Sequence, residues 1–403
     1  MKPLLISMAI TLLLFGIIIG CNDPSRNIPS EDRNDGITDT RILIGSSLAL
    51  GGHAGYLGTQ TLHGALSYLN HINEKGGVHG RRIKVIAYDD EYDPPKCVYY
   101  TQKLILEDRV FALFCYVGTP TTVKIIPLVN EAKIPLLGMF TGANELREPF
   151  SPYLINIRAS YYQETKAAVQ HMVEVKHIRK VAVFYQYDAY GFDGLKGTEL
   201  ALKEYHLVPT ATATYIRGTL DIEEGLDKII DTDPEAVMMI GTYEPCAKFI
   251  KLAKSKGFNG LFYNLSFVGA DELARRLDEH GDGVIVTQVV PSPEMPETQN
   301  LLWGTKEYSR RLKRYFPDDE PNFVGLEGYI NAMILVEGLK RAGRDITRIK
   351  FIQAIESITD LDLGIENTVS FSSRDHQGLD RVYFTKFQQG KFVLMKEWGS
   401  GRK

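Results

Sequence analysis

Threonine hydroxyls, a glycine and a proline come together in Val117-Gly118-Thr119-Pro120-Thr121-Thr122, where one apolar run ends and another begins. Thr119 falls where a helix N-cap belongs, and Pro120 falls at the favoured first helical position. The backbone N–H groups of Thr121 and Thr122, with the hydroxyls, would then face an anionic oxygen at a helix N-terminus. Taken alone, the motif fits equally a threonine that only caps its own helix. Phe140-Thr141-Gly142-Ala143-Asn144 follows the next apolar run, and its glycine permits close backbone approach while Thr141 offers another donor. Three later turns leave strands: Tyr187-Asp188-Ala189-Tyr190-Gly191, Gly241-Thr242-Tyr243-Glu244-Pro245 and Asn264-Leu265-Ser266-Phe267. An aromatic residue at one strand end packs a rim as often as it carries a ligand. Together, Tyr187, Asp188, Tyr190, Thr242, Tyr243 and Ser266 line one edge. The chemistry on offer is recognition of a small solute.

Bond-making chemistry has no comparable signature. There is no G-x-S-x-G elbow, H-E-x-x-H pair, C-x-x-C or Walker-type G-x-x-x-x-G-K. The nine histidines are scattered, and His53, His63, His71 and His79 fall on loop and helix positions that do not converge on one face. No metal site, cofactor or catalytic residue is expected. With 46 basic and 50 acidic residues the formal charge is −4, and no aromatic-interleaved basic stretch points to nucleic acid.

The elements that must position these loops alternate. Strands are expected at 41–46, 83–88, 110–117 and 134–137, with helices through Leu62, Ala65, Leu66, Leu69 and Ile72 and over 95–107 and 120–132. Gly76-Gly77 stops the first helix. The alternation resumes with helices at 163–175, 190–205, 221–231 and 245–256 and strands at 181–187, 210–215, 236–241 and 261–264. Long helices near 297–316 and 323–342 precede an alternating apolar stretch, 382–394. The pattern predicts an α/β fold of parallel sheets covered on both faces by helices, with ligands beyond the carboxyl ends of the strands.

The first forty residues read as an address and a tether. Lys2 precedes an uncharged run over 4–20 that ends Ile18-Ile19-Gly20-Cys21, the bacterial lipobox pattern. The run is at the short end for a membrane span. A signal peptide over 1–20 and an acyl chain on Cys21 are expected, so the protein is exported and held at a bacterial membrane, facing the periplasm or the exterior. Asn22 stands where an aspartate signals inner-membrane retention. Residues 21–40 are polar, with a flexible span of roughly 25 Å. Residues 41–403 exceed one compact core, so two domains are expected. Cys97, Cys115 and Cys246 remain, an odd number in an oxidising compartment. A Cys97–Cys115 bridge and three buried thiols are both open readings.

Several segments resemble the type I periplasmic solute-binding proteins of ABC importers, of the branched-chain amino acid (Leu/Ile/Val) binding type. The specific ones are Ile72-Asn73-Glu74-Lys75-Gly76-Gly77-Val78-His79-Gly80-Arg81 and Asp89-Asp90-Glu91-Tyr92-Asp93-Pro94. Gly118-Thr119-Pro120-Thr121-Thr122, Ile134-Pro135 and Asp188-Ala189-Tyr190-Gly191 support them. The resemblance runs from about residue 41 to the C-terminus. It implies two Rossmann-like lobes joined by hinge strands, the first from 41–158 and 290–372, the second from 159–289 and 373–403. It implies a ligand carboxylate at Thr119, further contacts at Phe140, Thr141 and Gly142, and an aromatic contact at Thr242 or Tyr243. An ABC permease with its ATPase is the implied partner, and the chain is expected to be a monomer. A ligand-sensing lipoprotein that signals to a membrane partner would need the same cleft.

One position departs from the pattern. The family's amino acid binders use an acidic residue against the α-ammonium, and ungapped matching places Ser266 there. A buried ammonium with no carboxylate is costly. Either Asp188 or Glu244 substitutes, or the ligand is a carboxylate, aromatic or otherwise apolar compound, not an ordinary α-amino acid.

Overall fold

The computed structural model describes residues 35–293 and 302–395. Cys21, the leader and most of the tether therefore lie outside the described residues, as does the start expected for the 297–316 helix. The first part of the chain lays down β1 (Arg41–Leu48), α1 (Gly55–Glu74), β2 (Arg82–Asp89), α2 (Pro94–Leu106) and β3 (Ala112–Phe114), then α3 (Thr119–Ala132), β4 (Leu136–Leu137) and β5 (Leu154–Ile155). These strands form a five-stranded parallel sheet in the order β2-β1-β3-β4-β5. Strand β1 is buried at every residue after Arg41, as a central strand covered on both faces must be.

A second unit follows: α4 (Tyr161–Gln170), β6 (Val181–Gln186), α5 (Ala189–Glu204), β7 (Thr212–Tyr215), α6 (Glu223–Ile230), β8 (Ala236–Ile240), α7 (Tyr243–Ser255), β9 (Leu261–Asn264), α8 (Ala270–Leu277) and β10 (Val284–Gln288). The chain ends with α9 (Trp303–Tyr315), α10 (Phe323–Ala342), α11 (Arg348–Glu356), the short pair β11 (Leu361–Asp362) and β12 (Thr368–Val369), and the hairpin β13 (Tyr383–Gln388) and β14 (Lys391–Leu394). The second sheet is seven-stranded, β14-β13-β10-β9-β8-β6-β7, parallel except where β13 and β14 add antiparallel. The fold is α/β with both sheets flanked by helices.

Helix α10 returns to the first sheet and lies on α1. A Cβ at Gly64 would run into the Gly325 backbone, and one at Gly328 into Thr61. Glycine at these positions lets the two helix backbones touch. The chain passes between the sheets three times, after β5, after β10 and after β12. Two of these passages pair with each other: Asn156 N–H donates to His376 O at 2.8 Å, and Leu379 N–H to Ile157 O at 2.8 Å.

Some local expectations are revised. The strand expected over 110–117 is cut to Ala112–Phe114, because Cys115 turns left-handed at φ 53°. The 163–175 helix is α-helical only to Gln170 and continues as a π-turn over His171–Val175. Helix α8 buries Ala270, Leu273, Ala274 and Leu277, a helical period that eight residues carry too briefly to announce. Cys97, Cys115 and Cys246 are all buried free thiols, so the Cys97–Cys115 bridge is not made.

Candidate functional site

The walls of the candidate site are the loops leaving the carboxyl ends of both sheets. On the first wall, α3 begins at Thr119 with Gly118 as its N-cap at φ 101°. Only glycine serves there, because a Cβ would run into the Tyr92 ring. Thr119 therefore does not cap its own helix. Its buried hydroxyl pairs with the Thr141 hydroxyl at 2.7 Å, joining two neighbouring strand ends. The expectation that the Thr122 N–H faces outward also fails, since it closes onto Gly118 O at 3.1 Å. The Thr121 hydroxyl is turned back onto Val117 O (2.7 Å) and Gly118 O (3.0 Å). Thr122 Oγ1 is buried with no partner among the described residues. Gly142 lies so close to Tyr161 that its carbonyl accepts the Tyr161 N–H at 2.7 Å.

The second wall is aromatic. Tyr190 is fully buried on the first turn of α5, with ring centroids 5.2 Å from Tyr161 and 4.7 Å from Phe267. Phe267 also reaches across to Phe140 at 5.6 Å and Tyr92 at 5.9 Å, so one ring touches both walls. Tyr243 meets Tyr56 edge-on at 6.1 Å, and burial pushes its hydroxyl up to about 12. Gln186 Nε2 donates to the Tyr92 hydroxyl at 3.4 Å. Thr242 holds the N-cap position of α7, and its N–H donates to the Tyr215 hydroxyl at 3.1 Å. Tyr187 is not brought together with the others; it is 61 % exposed and packs edge-on against Phe192. Tyr92, Tyr161 and Phe267 were not singled out from sequence, although Tyr92 and Phe267 lie inside quoted segments.

The carboxylates are all engaged. Asp188 caps α5 through the Tyr190 N–H (3.0 Å) and pairs with Arg217 (3.2 Å) and Gln186 Nε2 (2.7 Å). Burial raises its pKa, opposed by Arg217 and those hydrogen bonds. Glu244 pairs with Arg276 at 3.4 Å. Ser266 donates both its N–H and its hydroxyl to Glu164, each at 2.9 Å, and accepts a hydrogen bond from Arg158.

Arg158, on the first passage between the sheets, sits between Glu164 of α4 (2.9 Å) and Glu327 of α10 (3.3 Å). It also lies over the Phe140 and Tyr161 rings at 5.3 and 5.6 Å. Burial raises the Glu327 pKa to about 7 against the pull of Arg158. Arg158, Glu164 and Glu327 escaped sequence reading. The one available signal was Glu327 itself, an acid inside an otherwise apolar helical run. Among the described residues no group of three or more His, Cys, Asp or Glu could hold a metal, and no helix is long and apolar enough to cross a membrane. An open hollow of about 750 Å³, lined by residues such as Arg147, Asn156, His376 and Gln377, lies beside the paired passages and not between the walls.

Comparison with known proteins extends this geometry. A family model described as a periplasmic binding protein matches residues 41–391. A possible leucine/isoleucine/valine-binding protein from Rhodopirellula baltica has a crystal structure with 34 % sequence identity and a TM-score of 0.84, covering 88 % of this chain and 96 % of that one. The Leu/Ile/Val-binding protein homolog 7 of Brucella abortus is 23 % identical over 88 % of this chain and 91 % of its own length. The amino acid binding protein of Pseudomonas aeruginosa is 23 % identical over 61 % of this chain and 66 % of its own length.

Proposed function

Because the chain belongs to the type I periplasmic binding protein family, in its branched-chain amino acid (Leu/Ile/Val) binding group, we propose that it closes two lobes on a small amino acid-like, carboxylate or aromatic solute and delivers it to an ABC importer. The observation that carries this reading is Phe267, whose ring spans the cleft to Phe140 and Tyr92. A ligand touched by both walls only when they meet shifts the open–closed equilibrium towards closure. Thr119 and Thr141 would hold the polar end of the ligand at the start of α3, and Tyr190, Phe140, Phe267 and Tyr243 would enclose the remainder.

The proposal divides the lobes at 41–158 with 290–372 and at 159–289 with 373–403. The pairing of β13 with β10 supports that division, as does the seating of α10 on α1. It places the protein outside the cytoplasm, held by a lipid on Cys21, as a monomer with no enzymatic step. Mass spectrometry of small molecules released on denaturation tests the binding reading, and small-angle scattering with and without the released compound tests closure. Cys21→Ser should move the protein from the membrane fraction to the soluble fraction; retention would remove the anchor from the proposal.

A further inference from the structure

A cleft states its ligand's charge through the polar atoms it leaves unpaired. Five such atoms lie here on side chains with at most 1 % of their surface exposed: Arg158 Nε, the Tyr161 and Tyr190 hydroxyls, Thr122 Oγ1 and the acceptor Asn264 Oδ1 have no partner among the described residues. Arg158 Nε is a donor carrying positive charge, and the hydroxyls are neutral. Pro120 has no N–H and that of Thr122 is closed onto Gly118 O, so the donors the first turn of α3 can add at the positive end of its dipole are the Thr119 and Thr121 N–H groups.

Among the acceptors only a neutral amide oxygen, Asn264 Oδ1, is left unpaired, because the nearby carboxylates are engaged, Glu327 by Arg158 Nη1 at 3.3 Å. Glu164 Oε1 accepts from Arg158 Nη2 and the Ser266 hydroxyl, and Oε2 accepts from the Ser266 N–H and the Thr287 hydroxyl. Those four bonds fill the four lone-pair sites of the carboxylate. Asp188 is held by Arg217, Gln186 and a backbone N–H, and Glu244 by Arg276. Asp90 holds the Ser47 hydroxyl at 2.7 Å and the Tyr92 N–H at 2.9 Å. An ammonium entering between the walls would thus be buried against aromatic faces, neutral hydroxyls and one amide oxygen, without a free carboxylate. Burying a charge in that way is costly. A carboxylate meets donors instead, and the Phe140, Tyr161, Tyr190 and Phe267 rings provide an apolar enclosure for the rest of the molecule.

We infer that the cleft takes an apolar or aromatic monocarboxylate without an α-ammonium, an assignment that rests on the solute-binding reading above. Ser266 and Glu164 set this specificity by satisfying each other. The test uses the full-length chain in detergent and isothermal titration with two matched pairs, 4-methylpentanoate against L-leucine and 3-phenylpropanoate against L-phenylalanine. Each pair differs only in the α-amino group. The expected result is that at least one acid binds on the order of tenfold or more tightly than its amino acid, a difference of about 1.4 kcal/mol. Equal or tighter binding of the amino acids overturns the inference while leaving the solute-binding reading standing. Mass spectrometry of the molecule released on denaturation gives a second readout. A released carboxylate without an amine supports the inference, and a released α-amino acid overturns it alone. Four null titrations with no released molecule overturn both the inference and the reading it rests on.

Discussion

Two arginine–carboxylate clusters border the candidate site and differ chiefly in burial. At the floor, Arg158, Glu164 and Glu327 have side chains 1 %, 0 % and 4 % exposed, and the three residues come from a passage between sheets, α4 and α10. At the side, Arg217 and Asp188 are 25 % and 12 % exposed. Water still solvates part of the second pair, so separating its partners leaves charges that hydration can stabilise. At the floor no water competes, and each charge depends on its neighbours. The difference suggests distinct duties: the floor cluster sets how the two sheets are joined, and the side pair trims the approach of the walls, with Arg217 also 5.6 Å over the Tyr92 ring.

The comparison breaks most decisively at Arg158. Arg158→Leu leaves Glu164 and Glu327 buried without their cation and should cost about 3–5 kcal/mol of stability, read by guanidinium denaturation. A loss no larger than that of the side pair would erase the distinction. Glu327 supplies the next test. Its pKa rises from 4.5 when unfolded to about 7 when folded, so its favourable contribution is complete below 4.5 and is lost as pH climbs through 7. Wild-type stability relative to Glu327→Gln should therefore fall by about 3 kcal/mol across that window, at 1.36 kcal/mol per pH unit. Parallel denaturation profiles for the two proteins would contradict the assignment.

Gly118→Ala probes the first wall itself. Both the left-handed backbone and the Tyr92 ring resist a Cβ, so a loss of about 1–3 kcal/mol in thermal or chemical denaturation is expected. Unchanged stability would mean that the α3 N-terminus is not held by that contact. The smallest effect belongs to the side pair. Arg217→Gln should change stability by no more than about 1 kcal/mol, while small-angle scattering shows a looser closed state because the Tyr92 contact across the cleft is lost. A change as large as that of Arg158→Leu would make the two clusters equivalent.

Much of the scaffold was legible because helices and strands announce themselves locally. Helix 323–342 was read with its observed limits, and strand 261–264 likewise, since both carry sharp boundaries. Loops at strand ends were legible for the same reason, which is why Thr119, Thr141, Tyr190 and Tyr243 could be named. Their partners were not. Arg158 and Glu327 are separated by 169 residues, and no period links them. Tyr187 and Tyr190 looked alike in sequence, yet one is 61 % exposed and the other fully buried. Tyr187 precedes the Asp188 N-cap and stands outside α5, whereas Tyr190 lies on its first turn, and only the docking of that helix decides that Tyr190 is buried.

The sequence by itself determined the alternation of strand and helix, the parallel sheets that alternation requires and the strand ends where recognition residues would gather, because each follows from short-range periodicity and turn chemistry. Tertiary structure alone decided which of those residues remain free. It turned the Thr119 hydroxyl away from capping and onto Thr141, joined Ser266 to Glu164, and committed Asp188 to Arg217. The reason is physical: a side chain's type is local, but whether its hydrogen bonds and charge are already satisfied depends on groups brought from distant parts of the chain.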